Sequence, residues 1–150
     1  ARWFTANCWP MAGFVAPAWL LGAGAWRALR ARDGLQYTTT LTKLIVLPEA
    51  YAIHAPCLTY SVRSAWRRPT SIVWNMLLSR VTQGSQVLRL GLHPHDAESR
   101  AVRRSWQRLL ERALSDRKAV TKAEFVRQWR ASSVRYGERR PVSPILESLS

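Results

Sequence analysis

Val87-Leu88-Arg89-Leu90-Gly91-Leu92-His93-Pro94-His95-Asp96 decides the fold. The apolar run has the length of a strand and stops abruptly. Pro94 has no N–H to give to a ladder and blocks continuation, and an amphipathic helix follows. In a β/α fold, residues just past the carboxyl end of a strand sit in the mouth where ligands bind. Two of the chain's three histidines and an aspartate fall at this single point.

Upstream of it, Gly84-Ser85 makes the turn into the strand, and Thr70 or Ser71 caps a helix over 70–81. Ile72, Val73, Met76 and Leu77 define the inner face of that helix. Short runs at 43–47 and 56–60, flanked by Pro48 and Pro56, predict a hairpin-like excursion with His54 on its surface. Residues 36–40 are rich in β-formers. A short helix over 22–31 stops at Asp33-Gly34, where glycine supplies the C-cap. Residues 11–16 read as a buried strand. That segment, Gly13-Phe14-Val15-Ala16-Pro17-Ala18-Trp19, also ends in proline plus aromatic before a helix, giving a second strand-end site.

Downstream, Asp96 is placed as N-cap of a helix reaching about Leu114. Val102, Trp106, Leu109, Leu110 and Ala113 share one side of it, and Arg100, Arg104, Arg108 and Arg112 form the opposite stripe. Thr121-Lys122-Ala123-Glu124 is a capping box, with Val120 and Phe125 as its staple, and opens a last helix to about Arg130. Residues 131–150 are polar, carry Pro141 and Pro144, and predict a flexible tail. The order β-α-β-(β-β)-α-β-α-α is α/β in character.

Twenty of the 23 basic residues are arginine, against nine carboxylates, for a net charge of +14. A basic surface attracts phosphates, so a nucleic-acid module using the arginine stripe is the alternative from another class. No aromatic interleaves those arginines, which disfavours nucleic acid as a partner. Cys8 and Cys57 are too few for a disulfide scaffold and lack metal-ligand spacing. They read as small buried hydrophobes in a reducing, cytoplasmic compartment. No apolar stretch approaches the ~20 residues that cross a bilayer. The chain opens at Ala1 without methionine, and its first residues read as the end of a helix. It is expected to be the C-terminal portion of a longer protein.

His93 is the candidate for proton transfer near neutral pH, since a strand end fixes its position. His95 follows past a proline, so the two rings need not converge, and no third ligand stands at metal spacing. Asp96 reads as a cap rather than a ligand. Pro17, Ala18 and Trp19 do not titrate. Their possible role is shape, with a proline-fixed backbone presenting the Ala18 amide to a developing oxyanion and an indole as a wall.

With both strand ends in hand, the chain resembles the C-terminal half of bacterial polysaccharide deacetylases, the NodB-like carbohydrate esterases. The residues that carry the resemblance are Gly13-Phe14-Val15-Ala16-Pro17-Ala18-Trp19, Tyr60-Ser61-Val62-Arg63-Ser64-Ala65-Trp66-Arg67-Arg68 and Leu90-Gly91-Leu92-His93-Pro94-His95-Asp96. The resemblance implies the C-terminal part of a distorted (β/α) barrel over 1–130. It also implies a metal-dependent hydrolase that removes acetyl groups from N-acetylated sugars. In the family, a divalent metal, usually zinc, is held by an aspartate and two histidines that lie upstream of the segments matched here, so this chain alone is expected to bind none and to be inactive by itself. His93 matches the histidine that protonates the leaving amine. Pro17 matches the proline of the family's arginine-any-proline motif, with the Ala18 amide facing the oxyanion, and Trp19 and His95 join the substrate-facing set. Val15 stands where the family has arginine, so the usual tuning of the catalytic base is missing. A degenerate relative that binds glycans without cleaving them is the third reading.

Overall fold

A computed structural model describes residues 2–59, 67–82 and 84–135. The chain divides into two compact units, Ala1–His54 with Val120–Ser150, and Ala55–Ala119. Each has its own sheet and its own core, and the fold is mixed α/β.

In the first unit, a short helix, Arg2–Ala6 (α1), leads to strand Gly13–Val15 (β1) and a 3-10 turn, Pro17–Trp19. Helix Ala23–Arg30 (α2) then crosses back to strand Tyr37–Thr39 (β2), which pairs parallel with β1. Gly34 adopts φ +83° in the connection, the left-handed conformation that glycine tolerates. Strands Lys43–Val46 (β3) and Tyr51–His54 (β4) follow, each antiparallel to its predecessor, for a sheet ordered β1-β2-β3-β4.

The sequence Leu44-Ile45-Val46-Leu47 is apolar without alternation because both faces of β3 are covered. Ile45 and Leu47 pack on Trp26 and Leu29 of α2 and on Leu35. Leu44 and Val46 point the other way. On that face Tyr51, the register partner of Val46, meets Trp129 with ring centroids 4.8 Å apart. Trp129 belongs to helix Lys122–Arg135, which also packs against β2 and buries Val126 completely. Each fully buried aliphatic side chain contributes about 1.5–3 kcal/mol, so this doubly covered strand is the axis of the unit.

The second unit repeats the parallel logic. Strand Cys57–Thr59 (β5), helix Arg67–Val81 (α3) and strand Arg89–Gly91 (β6) form a β-α-β unit with β5 and β6 parallel. After a 3-10 turn, Pro94–Glu98, helix Arg100–Leu114 (α4) closes the core with Val102, Trp106 and Leu109 against Leu58, Leu78, Leu88 and Leu90. The helix Lys122–Arg135 of the first unit is α5.

Several expectations are corrected. The partner of β3 is Tyr51–His54, not the run at 56–60; Cys57–Thr59 pairs in parallel with β6 instead. His54 is exposed, as expected. The segment around β1 is not a buried strand: β1 is an edge strand and leaves Phe14 and Val15 exposed. α3 begins at Arg67, before Thr70; among its described side chains Val73, Met76 and Leu77 are exposed and Leu78 reaches the core, while the side chain of Ile72 lies outside the described residues. Cys8 is exposed and Cys57 half-buried, so neither is the buried small hydrophobe expected, and no disulfide joins them. α5 extends through Arg135, five residues into the expected tail, and 136–150 lie outside the described residues. The described strands form two separate sheets and no closed barrel.

Candidate functional site

The β6 end is held from beneath by one carboxyl group. Asp96 is 3% exposed. Its Oδ2 accepts the His93 backbone N–H at 3.0 Å and the indole Nε1–H of Trp106 at 3.0 Å. The Asp96 N–H in turn donates to the His93 carbonyl at 2.9 Å. The turn is therefore clamped at both ends of its first four residues, and the His93 side chain is left exposed above it. The second carboxyl oxygen, Oδ1, is buried with no partner. Asp96 is not the cap of α4. Ser99 takes that position, its hydroxyl accepting the Val102 N–H at 3.5 Å.

His95 lies in separate surroundings. Its Nδ1 is 2.8 Å from Glu98 Oε1, with side chains 72% and 71% exposed. A pair so open to water adds little to stability. His93 and His95 are thus placed on one turn, with the His95 ring engaged by Glu98.

At the start of β6, Arg89 is buried, its Nε–H donating to the Ala55 carbonyl at 2.6 Å. Burial pulls its guanidinium pKa below the ordinary value, and the neighbouring Cys57, its register partner, acts in the opposite direction. Nothing in the local pattern distinguishes this arginine from nineteen others. Its place in an apolar run, Val87 to Leu92, is the one signal that could have marked it.

The first unit carries the second strand end. Pro17 follows β1 directly, and Ala18 and Trp19 adopt φ 51° and 58° in succession. Left-handed backbone costs roughly 1–2 kcal/mol per L-residue, so two together are a strained element that the surroundings must hold. The Trp19 N–H donates to Ala16 O at 3.0 Å and the Leu20 N–H to Pro17 O at 3.2 Å. Neither bond uses the Ala18 amide. Pro17 and Ala18 are exposed and Trp19 is half-buried.

Sequence reasoning missed Thr38 and Thr39. Both are fully buried beside β1, in register with Phe14 and Val15, and both hydroxyls lack a partner. Three consecutive threonines at a strand end, Thr38 to Thr40, were the available signal. Tyr37 precedes them, and burial raises its phenol pKa above the ordinary value.

Pro17, Ala18 and Trp19 belong to one unit, and His93 and His95 to the other. Of the segment Tyr60 to Arg68, residues 60–66 lie outside the described residues. Among the described residues no three His, Cys, Asp or Glu side chains come together as metal ligands, so these residues do not fit a metal centre. No described helix is long and apolar enough to cross a membrane. No family model matches the chain, and no curated protein and no solved structure matches it.

Proposed function

We propose that the chain is the C-terminal part of a metal-dependent carbohydrate deacetylase of the polysaccharide deacetylase type, acting on N-acetyl groups of sugars or polysaccharides. The observation that carries this reading is the placement of His93. It stands exposed at the carboxyl end of a strand in a parallel pair, its backbone fixed by a buried carboxyl group. Ligands in α/β folds bind at such strand ends.

Hydrolysis of an acetamide adds water to the carbonyl carbon, breaks the C–N bond, and releases acetate and an amine. The amine nitrogen needs a proton as it leaves. His93 supplies that proton, the general-acid role that an imidazole side chain can fill. The strained Pro17–Trp19 turn supports a role in substrate binding, because backbone strain of this kind gathers at ligand sites. Pro17, Ala18 and Trp19 in one unit and His95 in the other are each proposed to bind substrate, as the resemblance implies. The metal ligands required by the resemblance are not supplied by the described residues, so the roles proposed for this chain are proton donation and substrate binding. The finer fold, a portion of a distorted (β/α) barrel, stands or falls with the same proposal.

The open reading frame upstream of Ala1 tests it. An aspartate-bearing strand end followed by a closely spaced histidine pair is the expected result. A frame without those ligands overturns the deacetylase reading.

A further inference from the structure

Arg108 and Arg112, half of the arginine stripe on α4, stand at a cleft of about 410 Å³ within the Ala55–Ala119 unit. That volume falls in the ~300–1,000 Å³ range of small-molecule pockets. Its lining is apolar where α3 and α4 face each other: Met76 from α3, Leu88 ahead of β6, and Leu109 and Ala113 from α4. Arg117 also borders the cleft but is committed, to Asp116 at 3.1 Å and to the Ser85 carbonyl at 3.3 Å. Arg108 gives its Nε–H to the Arg104 carbonyl at 3.3 Å, a bond that uses neither terminal nitrogen. Among the described residues no carboxylate pairs with Arg108 or Arg112. From 55 to 119 the sequence holds twelve Lys and Arg against four Asp and Glu.

Unpaired guanidinium groups beside an apolar floor select a ligand with both characters. A carboxylate or phosphate head takes charge-assisted, forked hydrogen bonds from arginine. A hydrocarbon body removes the floor from water. A bare anion leaves the floor wet, and a neutral hydrocarbon leaves the arginines unpaired. Among the described residues no aromatic lines the cleft to stack a base, which disfavours single-stranded nucleic acid. We propose that this cleft binds a small amphiphilic anion, its head on Arg108 and Arg112 and its short hydrocarbon body on Met76, Leu88 and Leu109. The site is independent of the deacetylase reading.

Calorimetric titration of the whole protein with decanoate tests the site, with decanol and phosphatidylglycerol vesicles as comparison ligands. Saturation at a single equivalent is expected. Arg112→Glu should weaken decanoate by about tenfold or more, and Arg108→Gln should weaken it in the same direction. Arg100→Glu makes the same change in net charge on the same helix outside the cleft. It should weaken binding by less than about twofold, because screened charges at that range act feebly. Decanol should bind at least about tenfold more weakly than decanoate. Equal weakening by Arg100→Glu would reduce the effect to diffuse attraction and overturn the site. So would the absence of saturable decanoate binding, including the case in which only vesicles bind and the surface is a membrane dock.

Discussion

Asp96 and Trp106, ten residues apart, are joined by a 3.0 Å bond from the indole Nε1–H to Oδ2, the same oxygen that accepts the His93 N–H. One buried carboxyl oxygen thus ties the strand-end turn to the core of α4. Asp96→Ala removes the oxygen that accepts both the indole N–H and the His93 N–H. A loss of about 2–4 kcal/mol is expected in denaturant unfolding. Trp106→Phe removes one donor and keeps most of the ring, so about 1 kcal/mol should be lost beyond the change in packing. Equal stability of Asp96→Ala and the parent would show that the clamp does not hold the turn.

Gly13 sits beneath the ring of Tyr37, its register partner on β2, and a Cβ at position 13 would collide with that ring. Gly13→Ala should cost about 1–3 kcal/mol as the ring is displaced. The damage is specific to the pair, so a double-mutant cycle with Tyr37→Ala should show a coupling of about 0.5–3 kcal/mol. Additive losses would mean that the ring moves aside freely.

Arg130 of α5 donates to the Leu47 carbonyl and to Glu49, with nitrogen to Oε2 at 3.0 Å, and so ties α5 to the end of β3. The pair is partly exposed, so its electrostatic part is small. Arg130→Ala should cost about 1–2 kcal/mol, most of it from the carbonyl bond and the lost packing of the stem. Glu49→Gln should cost under about 1 kcal/mol. The ordering of the two variants, measured by thermal unfolding, is the check.

Burial raises the Tyr37 phenol above its ordinary pKa of 10.0. Between the unfolded and folded values the native state binds the proton that the unfolded state has lost, so stability falls as pH rises above 10.0. The difference in ultraviolet phenolate absorbance between the parent and Tyr37→Phe should titrate above pH 10.0. The variant should also lose less stability across that window than the parent does. A difference spectrum that titrates below 10.0 would contradict the burial of this ring.

The local chemistry of the chain was legible where one segment decides the outcome. The stop at His93-Pro94, the positive φ of Gly34 and the Thr121 cap, whose hydroxyl accepts the Glu124 N–H at 3.1 Å, all follow from residues a few positions apart. The reciprocal half of that capping box gives way to a local alternative, since Glu124 accepts from Gln128 at 3.0 Å. Asp96 and Ser99 are equally good cap residues by type, and Trp106, distant in sequence, draws the aspartate inward. The partner of β3 could not be read because 51–54 and 57–59 are both β-forming runs, and only the sheet distinguishes them. α3 has apolar residues around much of its circumference, so periodicity could not choose Leu78 over Val73 or Leu77. At the candidate site, His93 was visible from its strand. The left-handed Ala18 and Trp19 were not, because neither residue type favours that conformation.

The central claim is that His93 delivers a proton to a leaving amine. The direct measurement is the rate of acetate release from an N-acetylglucosamine oligomer by the protein encoded in the whole reading frame, loaded with zinc, beside its His93→Ala variant. The account predicts a rate lowered by about 10²- to 10⁴-fold with substrate binding retained. Full activity in His93→Ala, or no acetate release by the parent, would contradict it.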